Sequence, residues 1–426
     1  MQHLCKPWEH RLSRRAWLGG MSAAGTAAVS GLPFDAAFGE ELAKQKKQVL
    51  FVWIDGGMSQ YESWDPKPNS QFGGPFRPIQ TSVPGIQLCE LMPRSAKIMQ
   101  HLCVVRGMCT QDNSHSAGVP RIQRGDPKNR GVTYPFFGSS VAKLVGNQGT
   151  GLPAYVSIKP GSGGFIYQDA GFLGPQYGAV AFGDGKPPEN MTRPESVTEA
   201  DEELRQTLRA KADERYRLRR RQGAEVANGY VFVSARELMR RQSLFDLSTV
   251  EARDRERYGD HEFGRHMLVA RRMLEVGVTF VKVTSYGWDT HGDNFNGHAS
   301  LMPRYDQAFA SIVEDLQVRG MLDNVLVITM SEFGRTPRIN GHVGRDHFPE
   351  AWSLALSGRG VKRGLTVGKT NAKGTAVEGD AYDIGHMFHT WFAALGIDSA
   401  TTQFDNHGQP LPIAHDDMHA VKEVLA

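Results

Sequence analysis

The chain has 426 residues, 40% of them hydrophobic and 22% charged, with 49 lysines and arginines against 46 aspartates and glutamates. That length fits one large α/β domain with insertions, or two ordinary domains. A net charge of +3 gives no footing for nucleic-acid binding or for a strongly acidic partner.

At the N-terminus, RLSRRAWL (11–18) precedes a weakly apolar stretch rich in Gly, Ala and Ser. Paired Arg14 and Arg15 followed by Leu18 resemble a twin-arginine export signal. Residues 1–40 are therefore expected to be a signal peptide read by the twin-arginine machinery, with cleavage near Ala37 or Gly39. The mature protein is then expected in the periplasm or secreted. This run is shorter and more polar than the roughly 20 apolar residues of a membrane helix, and no later segment reads as a membrane span. Beyond the leader stand Cys89, Cys103 and Cys109, with no CxxC spacing suited to zinc. One disulfide can form among them, while Cys103, inside an apolar run, is expected to be a buried thiol.

KQVLFVWIDGGMSQ (47–60) reads as a buried first strand that ends at Asp55, with Gly56 and Gly57 permitting a tight turn or a close approach. Pro and Gly mark 65–88 as loop, 90–102 as an amphipathic helix and 103–109 as a second strand. That strand runs into TQDNSHSAG (110–118), whose polar residues suit the start of a further helix. LPAYVSI (152–158) is another strand. From 195 to 262 the composition turns charged and helix-forming, which predicts a helical insertion with helices over 198–222 and 230–247. Its arginines 215, 217, 219, 220 and 221 interleave with acids, so a solvated helix face is favoured over an anion patch. Residues 263–286 then read helix, turn, strand, and 304–333 repeat that order. Such alternation predicts a mostly parallel sheet with helices on its faces. A last helix is expected over 386–398, with His386 and His389 as packing residues, and 401–426 as a polar tail. The folded domain is expected over 47–400.

Three segments concentrate carboxylates and imidazoles beside strand ends: WDTHGDN (288–294), SEFGRTP (331–337) and GRDHFP (344–349). The first two follow apolar runs, and the third precedes another, AWSLALSG (351–358). Strands that stop at Asp, His and Glu are how α/β proteins build sites at the carboxyl edge of a sheet. Asp55 can ligate a divalent cation or close an Asx-turn. Asp289 and His291, two apart, share a face of an extended segment and form a half-site for zinc, manganese or iron. Asp293 and His298 extend that supply, and Asp346 and His347 add an adjacent pair. Glu332 and Arg335 read as a buried ion pair or as a ligand beside an oxyanion-binding guanidinium. Ser114, at a helix start, reads as an N-cap or as a nucleophile.

These residues, with GG at 56–57, WDPKP (64–68), VPGI (83–86), ARRMLEVGVTFV (270–281) and LGID (395–398), resemble the DUF1501 family. Those are sulfatase-like proteins placed with the alkaline-phosphatase-like superfamily. The resemblance covers nearly all of the mature chain. It implies an α/β core with a mostly parallel sheet, a metal site at the strand ends, and hydrolysis or transfer of phosphate or sulfate esters. By position, Asp55 matches the first-strand ligand and Ser114 the nucleophile. Asp289 with His291 or Asp293 matches an Asp–His pair, and His347 the late histidine. Glu332 and Phe333 stand where the superfamily commonly carries Asp and His, and a phenylalanine cannot bind metal, which implies one ion rather than two. No CxPxR motif is present, which excludes a formylglycine sulfatase.

The resulting expectation is an exported metal-dependent hydrolase acting on an anionic small-molecule or glycan ester. Zinc, manganese, iron or calcium would be held among Asp55, Asp289, His291, Asp293, Glu332, Asp346 and His347. Ser114 would attack, and Arg335 or Arg345 would grip the anion. The alternative is a non-catalytic binding or scaffolding protein that keeps the fold around a degenerate site.

Overall fold

Apolar, β-branched runs alternate with amphipathic helices along the chain, and their pairing builds one eight-stranded sheet. The computed structural model describes residues 46–125, 131–159, 170–186, 192–219 and 224–426. The expected signal, residues 1–40, lies outside them. The strands are β1 (Gln48–Ile54), β2 (Leu102–Met108), β3 (Tyr155–Ile158), β4 (Val180–Phe182), β5 (Phe280–Ser285), β6 (Val325–Met330), β7 (Trp352–Gly358) and β8 (Leu365–Val367). Their order across the sheet is β8-β2-β7-β6-β1-β5-β3-β4. Every pairing is parallel except those of β7, which runs antiparallel to both β2 and β6.

The main helices are α1 (His115–Arg124), α2 (Phe137–Val145), α3 (Glu199–Arg219), α4 (Ala224–Arg240), α5 (Glu262–Glu275), α6 (Asn294–Val318) and α7 (Ile384–Ala394). Both faces of the sheet are covered, which is why β1 reads as a continuous apolar run rather than an alternating one. Leu50, Val52 and Ile54 pack on one face with Met273 of α5 and Phe309 and Ile312 of α6. Val49, Phe51 and Trp53 pack on the other with Phe137 of α2 and Phe388 and Trp391 of α7. Each such side chain contributes roughly 1.5–3 kcal/mol through burial.

Some expected elements differ. The helix expected over 90–102 is only Pro93–Lys97, followed by a 3-10 turn at Met99–His101. Proline suits the first helical turn, and Asp306 of α6 accepts from the Arg94 and Ser95 amides at 2.8 and 2.7 Å, which fixes the start there. Helix α6 begins ten residues earlier than Pro303–Arg304 implied, at Asn294, with Pro303 inside it. Residues 401–426 are no loose tail. A ribbon pairs Gln403–Asn406 with Gln409–Pro412, and Phe404, Val421 and Val424 join the second core. The helical insertion is present as α3 and α4. Of its arginine run only the Arg215 side chain is described, and it is exposed. Cys89, Cys103 and Cys109 are free thiols, and burial pushes Cys103 up to about 12. Among the described residues no helix is long and apolar enough to cross a membrane.

Candidate metal centre

β1, β2, β5 and β6 all run the same way, so the segments that follow them emerge at one carboxyl edge. Asp55 follows β1, His115 lies beyond β2, Asp289 follows β5 and Glu332 follows β6. Because β7 is reversed, its first residue lies at that same edge, and His347 just upstream arrives with the others. A two-residue ribbon pairs His347 with Arg335 and Phe348 with Gly334. Gly56 has φ +112°, and a Cβ there would fall 2.5 Å from the Asp289 amide. Only glycine lets the β1 turn press against the β5 loop.

Three imidazoles surround Asp289, each held in the same way. His115 places Nδ1 2.7 Å from Glu332 Oε1 and Nε2 3.2 Å from Asp289 Oδ2. His347 places Nδ1 2.6 Å from the Asn113 carbonyl and Nε2 3.1 Å from Asp289 Oδ1. His291 places Nδ1 2.7 Å from Asp346 Oδ1 and Nε2 3.2 Å from Asp289 Oδ1. Each Nδ1 is thus spent on an acceptor, which turns each Nε2 toward the Asp289 carboxylate. Ligand atoms of His115, Asp289 and His347 lie within 4.8 Å of one another.

The charges follow from these contacts. Hydrogen bonds with Asp289 and Glu332 raise the His115 pKa to about 9. Burial works to raise Asp289, yet hydrogen bonds from His115, His347 and Arg335 prevail and hold it well below the usual carboxylate range. Glu332 is fully buried, and burial raises its pKa. Its Oε1 accepts from the Gly56 amide at 3.0 Å, while Oε2 has no hydrogen-bond partner. One carboxylate and two imidazoles with ligand atoms within 4.8 Å of one another make a donor set that suits a divalent cation, so the residues present fit a metal. Lys282 on β5 is also buried, donating to Gln123 Oε1 at 2.7 Å, with Asp55 and Glu332 as its nearby negative charges. Since a proton and a metal compete for His115, zinc affinity is expected to rise with pH and level off near pH 9. Chelator competition from mildly acidic to alkaline pH checks this, and a flat profile would contradict it.

Asp289, His291 and His347 come together, with Glu332 behind His115, whereas the Asp55 carboxylate accepts from the Trp53 indole at 2.9 Å and stands outside the ligand group. His115 was missed, although it stands beside the serine that the sequence singled out. Ser114 is the exposed N-cap of α1, its Oγ 3.4 Å from Ser116 Oγ and bonded to no amide of the helix. Asp346 backs His291 from behind and also accepts from Asn340 at 3.1 Å. Asp293 is displaced from the expected ligand set. It precedes α6 with φ +50°, and its carboxylate accepts from Asn296 at 2.9 and 3.1 Å. His298 is buried, bonded to the Asn294 carbonyl and the Ser59 amide. Phe333 stacks on His347 with ring centroids 4.1 Å apart, so it walls the ligand rather than replacing it.

Neither arginine is free to grip an anion, which corrects that expectation. Arg335 is fully buried. It donates to the carbonyls of Gly56, Gly57 and Arg345, and to Asp289 Oδ1 at 2.5 Å. Arg345, equally buried, forks onto Glu62 at 3.1 and 2.9 Å and donates to the carbonyls of Phe72, Thr336 and Pro337. One positions the central carboxylate, and the other is a structural ion pair.

Fold and cluster together define an α/β protein with imidazoles gathered on one aspartate at the carboxyl edge of its sheet. Residues 46–425 match the family described as Protein of unknown function (DUF1501), and the chain belongs to that family. No curated protein matches. Among solved structures it is similar to a protein in the alkaline phosphatase superfamily from Vibrio parahaemolyticus, with 13% identity, a TM-score of 0.37, and coverage of 83% of this chain and 67% of that one. It is similar to the lipoteichoic acid synthase LtaP from Listeria monocytogenes at 10% identity and a TM-score of 0.39, over 88% and 76%. A phosphonate monoester hydrolase from Silicibacter pomeroyi gives 11%, 0.35, 88% and 76% in the same terms. Likenesses this distant carry no argument about the reaction, which rests on the site itself.

Proposed function

We propose that this chain is an exported metal-dependent hydrolase of phosphate or sulfate esters. Its divalent ion would be held by His115, Asp289 and His347, with His291 at the more exposed side. The observation that carries this reading is the shared pattern of the imidazoles, Nδ1 anchored and Nε2 turned to one carboxylate. Metal-binding histidines are oriented in just this way. A ligand set rich in imidazole favours zinc, manganese or iron over calcium. When bound, such an ion supplies charge stabilisation at the ester oxygens.

The chain's own groups do the rest. Glu332, Asp346 and the Asn113 carbonyl fix the imidazoles, and Arg335 fixes Asp289. Ser114, exposed on the loop that carries His115, is the candidate nucleophile. With both arginines sealed, the positive end of the α1 dipole would meet the anion. Residues 11–18 support export to the periplasm or beyond by the twin-arginine route.

The test compares purified wild type with His115→Ala by metal analysis and by turnover of aryl phosphates and sulfates. The variant is expected to lose one metal equivalent relative to wild type, and any turnover with it. Equal metal content in the two proteins would sink the assignment. The burial of Arg335 and Arg345 favours a second reading, a metal-containing binding protein. Metal bound with no turnover across the panel would support that one.

A further inference from the structure

A second cluster sits where the edge strand β4 meets the first turn of α5. Glu262 and His266 are four residues apart on α5 and share one face of it. Asp184, in the turn after β4, places Oδ1 3.5 Å from His266 Nε2. One ligand atom from each of the three lies within 4.8 Å of the others. Gly185 permits the approach, since a Cβ there would fall 2.8 Å from His266 Cδ2.

His266 is only 2% exposed, yet its imidazole is aimed at two carboxylates rather than packed among apolar neighbours alone. The Glu262 carboxyl hydrogen-bonds the Asp184 carboxylate and holds its pKa below the usual range, and a shared cation would take the place of the proton between them. Lys159 answers part of that charge with an ammonium contact to Glu262. Beside the cluster opens a cavity of about 100 Å³, lined by Glu262, His266, Tyr286 and Arg304 among others.

We propose that Asp184, Glu262 and His266 form a second divalent-cation site, separate from the Asp289 centre, with Lys159 as its tethered competitor. Two carboxylates and one imidazole suit zinc or manganese, and the neighbouring cavity leaves room for water as further ligands. The site ties β4, which among the described residues pairs with β3 alone, to the start of α5. Its role is therefore to fasten the edge of the sheet, and it stands whether or not the Asp289 centre is catalytic.

The experiment is a calorimetric titration of the full chain with zinc and with manganese. Asp289→Asn is the background, and Glu262→Gln and Lys159→Gln are added singly. Glu262 and Lys159 are partly exposed, at 45% and 29%, so neither change threatens folding. One class of sites is expected to remain in Asp289→Asn. Glu262→Gln should weaken it about tenfold or more, and Lys159→Gln should tighten it several-fold. Absence of binding in Asp289→Asn, or binding indifferent to Glu262→Gln, overturns the site. Weaker or unchanged binding in Lys159→Gln overturns the competitor role. Failure of the Asp289 centre shows separately, as identical titrations of wild type and Asp289→Asn that still depend on Glu262.

Discussion

If the proposed centre binds its ion as argued, Asp289→Ala is expected to lose that ion and, with it, any ester turnover. Asp289 is the one group that His115, His291, His347 and Arg335 all face. Its depressed pKa means the carboxylate stays charged throughout the physiological range. No neighbour can replace it: Glu332 is buried behind His115, and Asp346 is spent on the far nitrogen of His291. Metal analysis after dialysis checks the prediction. An Asp289→Ala protein that keeps its full metal complement would remove Asp289 from the ligand set. Asp289→Asn keeps one oxygen acceptor for Arg335, which separates loss of the ion from loss of that internal contact.

Glu62→Ala is expected to destabilise the fold by about 3–5 kcal/mol, the usual result of leaving one partner of a buried ion pair alone. Arg345 and Glu62 are both essentially without solvent contact, and the fork between them uses both carboxylate oxygens. The Arg345 backbone in turn accepts from Arg335 and donates to the Thr290 carbonyl at 3.1 Å. Damage there therefore spreads to the loops that carry Asp289 and His347. Urea denaturation gives the number, and a loss below about 1 kcal/mol would mean the pair is not sealed. Replacing both members with apolar residues of similar volume should recover much of the stability, because the desolvation penalty disappears along with the attraction.

The sheet and its ligand-bearing edge were legible because local signals carry them. Apolar runs that stop at Asp55, Asp289 and Glu332 report strand ends without any knowledge of the neighbouring strands. His115 was hidden for a different reason. Its partners Glu332 and Asp289 lie far along the chain, and the hydroxyl next to it matched a more familiar pattern of helix capping. An imidazole in the first turn of a helix at a strand's carboxyl end was the available signal. The arginines misled in the opposite sense. A guanidinium among acids reads as an anion grip, whereas the partner that seals Arg345 is Glu62, 283 residues away. Asp293 was misplaced because Pro303 disguised the true start of α6, and a residue at that boundary is drawn into loop geometry. Phe333 was read only as a non-ligand, and its stacking on His347 depends on a register that no local window contains.

β7 is wedged between β2 and β6, against the direction of both. His115 hangs from the first of those strands and Glu332 from the second, while His347 enters only with β7 itself. The centre is therefore complete only when β2, β6 and β7 are all paired. An ion bound there would act as a latch on the finished fold. Chelation would hasten unfolding and lower equilibrium stability by mass action, while the rate of folding stays as it was.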